Sequence, residues 1–230
     1  MRSSDILKHS FIALISMVSS LQLRTPSSIQ SMMMELAESM IAAKNSGIQV
    51  ALAEVPLPVT GGTELDDWPG GIRQKYGTLS MMLLETMRRL DFNPTEMRRR
   101  EFLGKCGAED SVGYWQDTDR GFQICCFPTI ETIPSIVRQI ESSQIKETCD
   151  LMLLINENFF LGPFSSRDTR KFVESLDSVY HIENLNMKGP RGLSIRGLLY
   201  RRFPEPWVVG RRLDNGEYEV IRSCEMRPSR

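Results

Sequence analysis

The sequence predicts an α/β fold in which a mixed sheet carries flanking helices and is extended by a C-terminal antiparallel meander. Three observations support this prediction. Short apolar runs alternate with amphipathic helical segments over the first two thirds of the chain. One run, CDLMLLI at 149–155, is apolar without interruption, which suits a central strand covered on both faces. The last third contains strand-like runs at 194–203, 206–213 and 217–226, and an Asp-Asn-Gly turn at 214–216 joins the last two.

The first predicted elements are a helix, a strand and a second helix. The first helix begins after Pro26 and ends at the stop signal Asn-Ser-Gly at 45–47. The strand covers 48–57, where two prolines limit it. The second helix covers 72–90 and carries a buried apolar stripe at helical spacing. A polar, glycine-containing loop connects the strand to this helix.

The middle of the chain continues the alternation of helices and strands. Residues 95–111 are interpreted as a charged helix or loop, and 121–127 as a short apolar strand. A helix is expected over 134–142, with apolar side chains on one face. A capping box at 165–168 opens a further helix, and 179–182 is another candidate strand.

The N-terminal 25 residues differ from the rest of the chain and are predicted to be a targeting leader. Residues 11–23 form an apolar run behind Arg2 and Lys8, as in a signal peptide. This run is too short and too rich in serine for a membrane span. An extra amphipathic helix and a misassigned gene start are the alternatives. Residues 26–230 are expected to form a single α/β domain, because neither a repeat nor a polar linker divides them.

Composition and motifs argue against several classes of protein. The net charge of −1 gives no general attraction to nucleic acid or anionic lipid, so no nucleic-acid partner is expected. The five cysteines include no CxxC pair; buried reduced thiols are expected, with a redox-active pair at Cys125 and Cys126 as the alternative. The motifs GxxxxGK[ST], GxGxxG, GxSxG and HExxH are absent, and His9 and His181 are the only histidines. The sequence therefore predicts no catalytic residue, metal or cofactor and favours a non-enzymatic protein, while residual activity stays open.

The best candidate for a ligand site is the loop at 61–75, which follows the first strand and runs into a helix. In open α/β sheets, ligands bind beyond the carboxyl ends of strands and near helix N-termini. Two glycines would let backbone N–H groups approach an anion, and two basic side chains add positive charge. Nearby acidic residues oppose a phosphate and favour a cation, and a purely structural loop is the alternative. The candidate residues are Trp68, Gly70, Gly71, Arg73 and Lys75.

A second candidate is the turn RRFPEPW at 201–207, which we interpret as a surface for contact with another protein. Arg201, Arg202 and Trp207 belong to the residue types that often anchor protein interfaces. Prolines within the turn would keep it rigid. A tight turn between two strands, with the tryptophan packed, accounts equally well for the same residues.

Several stretches taken together resemble DUF1995, a family of domains of unknown function. The resemblance covers about 26–230, and its most specific part is LYRRFPEPWVV with the following RPS. One departure is that Asn156 is followed by Glu157, where the family often has Asn-Pro. The stretches lie at 66–77, 127–137, 149–158, 197–212 and 218–229.

The resemblance implies a setting and a role. The family occurs in cyanobacteria, algae and plants, includes chloroplast proteins of the low-photosystem-II-accumulation type, and in some plant proteins is appended to an adenylate kinase. It implies a non-enzymatic protein of the chloroplast stroma or thylakoid periphery. Such a protein would help photosystem assembly through contacts with plastid proteins, and it could associate peripherally with a membrane. The short leader suits a plastid bounded by extra membranes. The family has no accepted catalytic residues, and the alternative function is a small-molecule or nucleotide-binding domain that uses the loop at 61–75.

Overall fold

A computed structural model describes residues 22–59, 61–63, 66–89, 98–101, 113–117, 120–145, 150–157, 159, 166–188 and 194–228. The chain forms two compact units. The α/β unit comprises Pro26–Glu183 and Arg201–Pro206. The meander unit comprises Asn184–Tyr200 and Trp207–Arg230, together with Met1–Thr25, of which only 22–25 are described.

The helices of the α/β unit begin and end close to the predicted positions. Ser28 caps the first helix, because its hydroxyl accepts a hydrogen bond from the backbone N–H of Ser31 at 3.0 Å. In the last helix the cap is Ser166, whose hydroxyl accepts from the Thr169 N–H at 3.1 Å, one residue later than the start of the predicted capping box. The helices are α1 (Ile29–Asn45), α2 (Gly71–Arg89), α3 (Ile133–Ile145) and α4 (Arg167–Glu174).

The sheet of the α/β unit is mixed, as predicted. Its strand order is β2-β3-β4-β5-β1-β6. The four strands β4, β5, β1 and β6 are parallel, and β2 and β3 add an antiparallel edge. The strands are β1 (Val50–Glu54), β2 (Arg98–Glu101), β3 (Gly113–Asp117), β4 (Phe122–Cys126), β5 (Leu151–Ile155) and β6 (Asp177–Lys188).

Two features of this edge differ from the sequence prediction. The prediction of a helix or loop over 95–111 is wrong at β2, and β3 was not predicted at all. Backbone pairing defines both strands, with Arg99 opposite Trp115. A charged run such as RRRE is compatible with an edge strand, because among the described strands β2 pairs with β3 alone.

Helices cover both faces of the parallel strands. On one face, α1 packs against α2 and β5. On the other face, Met152 and Leu154 of β5 join Cys125 and Ile136 in a buried cluster, against which Phe172 of α4 packs. All five residues of β5 are buried, which confirms its prediction as the central, doubly covered strand.

The meander unit confirms the predicted C-terminal antiparallel extension. The second half of β6 leads into β7 (Ser194–Arg202), β8 (Trp207–Arg212) and β9 (Tyr218–Cys224), each hydrogen-bonded to the next. Gly216, with φ of 86°, closes the predicted turn between β8 and β9, where its N–H donates to the Leu213 carbonyl at 3.0 Å. Among the described helices of the chain, none has the length and apolar composition needed to cross a membrane.

Candidate functional site

The strand order of the α/β unit creates a point where neighbouring strands send the chain in opposite directions. From β1 the chain runs through α2 towards β4, which lies beyond β5. From β5 it runs through α4 to β6, which lies on the other side of β1. Right-handed connections that run in opposite directions lie on opposite faces of a sheet, so the connections that follow β1 and β5 diverge and leave a crevice at the carboxyl ends of these two strands. Ligands of open α/β sheets bind in crevices of this kind.

A cleft of about 1070 Å³ occupies this position. Its walls come from the segment after β1, the loop and first turn of α2, and the residues that follow β4 and β5. This volume is at the upper end of what small-molecule sites enclose. The lining residues are Glu54, Val55, Pro56, Leu57, Trp68, Pro69, Gly70, Gly71, Ile72, Arg73, Lys75, Phe127, Thr129, Asn156 and Glu157.

Two residues of the cleft have a left-handed backbone although they are not glycine. Phe127 follows β4 directly with φ of 53°, and Asn156 follows β5 directly with φ of 52°. Their N–H groups donate to the carbonyls of Ile155 and Ala53 at 2.9 and 2.8 Å, which continues the pairing of adjacent strands. Such conformations cost free energy and cluster at functional sites. They turn the chain sharply away from the sheet and so open the cleft.

The side chain of Asn156 ties the ends of β1 and β5 together. Its Oδ1 accepts a hydrogen bond from the Val55 N–H at 2.8 Å, and its Nδ2 donates to the Val55 carbonyl at 3.0 Å. Both backbone groups of Val55 are thus paired where β1 ends. These two hydrogen bonds hold the start of the segment Val55–Leu57, which forms one wall of the cleft.

Short-range hydrogen bonds shape the loop before α2. The Asp66 carboxylate accepts from the Trp68 N–H at 2.8 Å, and the Gly71 N–H donates to the Trp68 carbonyl at 2.8 Å. Gly71 has φ of 60°, which favours glycine. The Gly70 N–H donates to Oε1 of Gln74 at 2.8 Å. Both glycine N–H groups were predicted to face a ligand, whereas here each is paired within the chain.

Charges of both signs line the cleft. Arg73 is exposed, and the half-buried Lys75 places its Nζ 5.9 Å from the centre of the Trp68 ring, within the range of a cation–π contact. The first turn of α2 contains no acidic residue, so its positive helix end is not neutralised locally. Glu54 and Glu157 supply half-buried carboxylates, and Oε2 of Glu157 accepts from the Phe159 N–H.

All five residues of the predicted ligand loop line this cleft. The other charged, polar or strained residues of the cleft lie at the ends of strands and were not predicted from the sequence, namely Glu54, Phe127, Thr129, Asn156 and Glu157. The signal that could have identified them is their position directly after predicted strands. Which strand ends are neighbours, however, depends on the strand order.

The predicted contact turn is divided between the two units. Arg201 and Arg202 belong to the α/β unit and Trp207 to the meander unit. Nη2 of Arg202 lies 2.6 Å from Oε2 of Glu38. Burial lowers the pKa of Arg202, but the nearby carboxylates, above all that of Glu38, have the larger combined effect. The pKa of Arg202 is therefore raised overall. The guanidinium of Arg201 lies 5.9 Å from the Phe203 ring centre.

Trp207 itself is a buried residue. Its exposed fraction is 3%, and the guanidinium of Arg227 lies 5.6 Å from its ring centre. A ring with so little accessible surface contributes to packing inside the protein. Any contact that this turn makes with another protein would therefore involve Arg201 or Arg202 rather than the ring of Trp207.

Among the described residues, the buried thiols and the histidine lie outside the cleft. Burial raises the pKa of the Cys126 thiol. The pKa of the Cys125 thiol is also raised, first by burial and second by the charge of the neighbouring Cys126. Both therefore stay protonated at neutral pH and are poor nucleophiles. His181 is buried in β6, with its Nε2 3.2 Å from Oε2 of Glu183. Over the described ranges, no three His, Cys, Asp or Glu side chains are grouped so that they could hold a metal ion.

Comparison with known proteins supports one conclusion about the identity of the chain. No curated protein and no solved structure matches it. The family model described as "Domain of unknown function (DUF1995)" matches residues 26–230, which is most of the chain and contains both units from Pro26 onwards. The chain therefore belongs to the DUF1995 family of domains of unknown function.

Proposed function

We propose that this protein binds a small anionic molecule in the cleft at the carboxyl ends of β1 and β5. The observation that carries the proposal is the coincidence of the cleft with the point where the connections after β1 and β5 diverge. Parallel sheets place ligands there because backbone groups and helix ends converge at that edge. Phosphorylated metabolites and nucleotides are the ligand classes that this proposal covers.

Local electrostatics support an anion as the bound group. Arg73 and Lys75 lie in the first turn and a half of α2, and the N-terminal end of a helix attracts negative charge. The carboxylate of Asp66, which could oppose an anion, is engaged by the Trp68 N–H. This hydrogen bond reduces the repulsion between the Asp66 carboxylate and a bound anion.

A thermal-shift screen with nucleotides and phosphorylated metabolites tests the proposal. A ligand at one hundred times its Kd stabilises the folded state by about 2.7 kcal/mol, which gives a clear rise in Tm. Arg73→Ala should abolish this rise. Arg138→Ala is the matched control, because Arg138 is exposed on α3, where it donates to the Ser135 hydroxyl. If no compound stabilises the protein, or if Arg73→Ala responds like the wild type, the cleft is not an anion site.

We also propose that the protein acts as an auxiliary factor in photosystem assembly or accumulation, in the chloroplast stroma or at the thylakoid periphery. Membership of the DUF1995 family supports this proposal through the plastid proteins that the resemblance implies. Contacts with plastid proteins, such as photosystem subunits or assembly factors, would carry the role. This second proposal is compatible with the first, since ligand binding could regulate such contacts.

Affinity purification from photosynthetic cells, combined with localisation of the tagged full chain, tests the second proposal. We expect the protein in the plastid and photosystem subunits or assembly factors among the co-purifying proteins. A location outside the plastid would contradict it. Because Trp207 is buried, Trp207→Ala can also destabilise the protein. The amount of partner protein that co-purifies with this variant is therefore compared together with the stability of the variant. Loss of the partner at unchanged stability would identify Trp207 as an anchor.

A further inference from the structure

We propose that the meander unit binds the anionic surface of a lipid bilayer, and that Arg196 and Arg212 are the residues on which this binding depends. Both belong to the meander unit, whereas the residues of the cleft belong to the α/β unit. Charge is unevenly distributed between these parts of the chain. Residues 184–200 and 207–230 contain eight basic and four acidic side chains, a net charge of +4, although the whole chain has a net charge of −1. A local excess of positive charge attracts polyanionic surfaces.

Arg196 of β7 and Arg212 of β8 lie side by side on one face of the meander. The two strands pair Gly197 with Arg211, and the same register continued by one residue places Arg196 opposite Arg212. Opposite side chains of antiparallel strands begin about 5 Å apart. Both arginines are exposed. The pair therefore presents two positive charges to the solvent at one point of the surface.

This arrangement is unfavourable for the fold itself, because like charges directly opposite each other in a sheet repel. The next residue in the same row, opposite Arg212, is Tyr218 of β9, which brings no negative charge. Neither guanidinium has an ion pair or a hydrogen bond with the residues that the structure describes. Arg211, on the other face of β8, differs in that its Nη2 lies 2.6 Å from Oε2 of Glu219. The unpaired arginines are thus suited to an anionic partner outside the fold.

Exposed apolar side chains in the same unit favour a lipid surface as this partner. Ile221 lies within β9 and Met226 lies just beyond its end, and their exposed fractions are 55% and 82%. Each is followed directly by an arginine, Arg222 or Arg227. Protein surfaces that lie on anionic bilayers combine basic side chains with apolar ones, which enter the boundary between headgroups and acyl chains.

Nucleic acid is the polyanion that this unit fits less well. Single-stranded nucleic acids stack their bases on exposed aromatic rings. Over the described part of the meander unit the aromatic residues are Tyr200, Trp207 and Tyr218, of which the first two are buried and the third is half-buried. A phosphate backbone would contact the arginines but would leave Ile221 and Met226 without a role.

Co-sedimentation of the full chain with two kinds of lipid vesicle tests the inference. One kind consists of phosphatidylcholine alone, and in the other one third of the lipid is phosphatidylglycerol. We expect the anionic vesicles to bind at least about tenfold more tightly than the neutral ones, which account for binding that does not depend on charge. High salt should remove this preference, because it screens the charges. Arg196→Gln/Arg212→Gln should weaken binding to the anionic vesicles about thirtyfold, since each basic residue near such a surface contributes about a factor of five.

Arg138→Gln/Arg211→Gln is the matched control, because it removes the same charge from α3 and from the opposite face of β8, and it should keep the wild-type affinity. The Tm of Arg196→Gln/Arg212→Gln should not fall, since the substitutions remove a repulsion between two strands. A lower Tm would show that these arginines support the fold, and the proposal would be wrong. It is equally wrong if the two kinds of vesicle bind alike or not at all, or if both double variants lose the same affinity or none. Tighter binding of a single-stranded RNA oligonucleotide than of the anionic vesicles would identify nucleic acid as the partner instead.

Discussion

At the scale of single residues, the cleft depends on two strained positions that look ordinary in the sequence. Phe127 and Asn156 both adopt left-handed conformations at equivalent points, one residue beyond paired strand ends. Asparagine tolerates this region better than other non-glycine residues, and phenylalanine does so rarely. Asn156 also contributes the two hydrogen bonds that hold Val55. The same residue therefore sets the direction of the chain and fixes the neighbouring wall of the cleft.

Substitutions of Asn156 should separate these two contributions. Asn156→Gly removes both hydrogen bonds to Val55 but relieves the backbone, so we expect a loss of about 1–2 kcal/mol in the free energy of unfolding. Asn156→Ala removes the same bonds and keeps the left-handed strain, so it should lose about 1 kcal/mol more. Urea unfolding measures both values. Equal stabilities of the two variants would show that the backbone conformation is not costly here.

The buried thiols should make stability depend on pH in the alkaline range. Burial raises the pKa of Cys125 and Cys126 in the folded state, whereas an unfolded thiol ionises near pH 8.5. Above that pH the unfolded chain binds fewer protons than the folded chain. The free energy of unfolding should therefore fall as pH rises, by up to about 1.4 kcal/mol per pH unit for each thiol.

Urea unfolding between pH 7.5 and about 10 checks this expectation, a range set by the usual thiol pKa. The double variant Cys125→Ala/Cys126→Ala should show a shallower decline than the wild type, whatever its absolute stability. Cys224→Ala, which removes a partly exposed thiol of β9, serves as the control and should keep the decline of the wild type. An unchanged slope in the double variant would mean that the two core thiols do not titrate on unfolding.

At the scale of elements, α2 shows how local chemistry and tertiary position combine. The Trp-Pro-Gly-Gly stretch predicted a turn before a helix, and α2 begins at Gly71 with the left-handed backbone that glycine permits. The antiparallel strands β2 and β3 behave differently. Their sequences, RRRE and GYWQD, carry no alternating apolar pattern, and they are strands because each pairs with its neighbour.

Two glycines of α2 should respond in opposite ways to the same substitution. An added Cβ meets no atom within 4 Å at either Gly71 or Gly77, so only the backbone matters. Gly71→Ala should destabilise the protein by about 1 kcal/mol, because φ is 60° there. Gly77→Ala lies inside the helix and should stabilise it by about 0.5–1 kcal/mol. Thermal unfolding of both variants measures the difference, and effects of the same sign would contradict the left-handed start of α2.

At the scale of the whole molecule, Asn184–Tyr200 and Trp207–Arg230 form a compact unit with an N-terminal contribution. Gln22 pairs with Glu219 of β9 in antiparallel fashion, and the Leu23 N–H donates to the Tyr218 carbonyl at 3.0 Å. The predicted leader of 25 residues thus ends within a segment that contacts the meander. Residues 1–21 lie outside the described part of the chain, and their role in targeting stays a prediction.

Two truncations should locate the functional boundary of the leader. A chain that starts at Gln22 should unfold with the free energy of the full chain, because it keeps the pairing with β9. A chain that starts at Pro26 loses the Leu23 hydrogen bond and the bond from the Gln22 amide to Glu217, so we expect a loss of about 1–2 kcal/mol. Urea unfolding of the three chains compares them. A large loss on removing residues 1–21 alone would show that the predicted leader is part of the fold.

The sequence by itself determined the fold class, the main helices, the central strand, the C-terminal meander and the position of the loop before α2, whose use by a ligand stays a prediction. These follow from apolar periodicity, caps and turn residues, which act over a few neighbouring positions. The tertiary structure alone decided the strand order, and with it which residues line the cleft together with Arg73 and Lys75, among them Glu54, Thr129 and Asn156. It also decided β2 and β3 and the burial of Trp207. The physical reason is that strand pairing and burial depend on contacts between residues far apart in the chain, which no local pattern specifies.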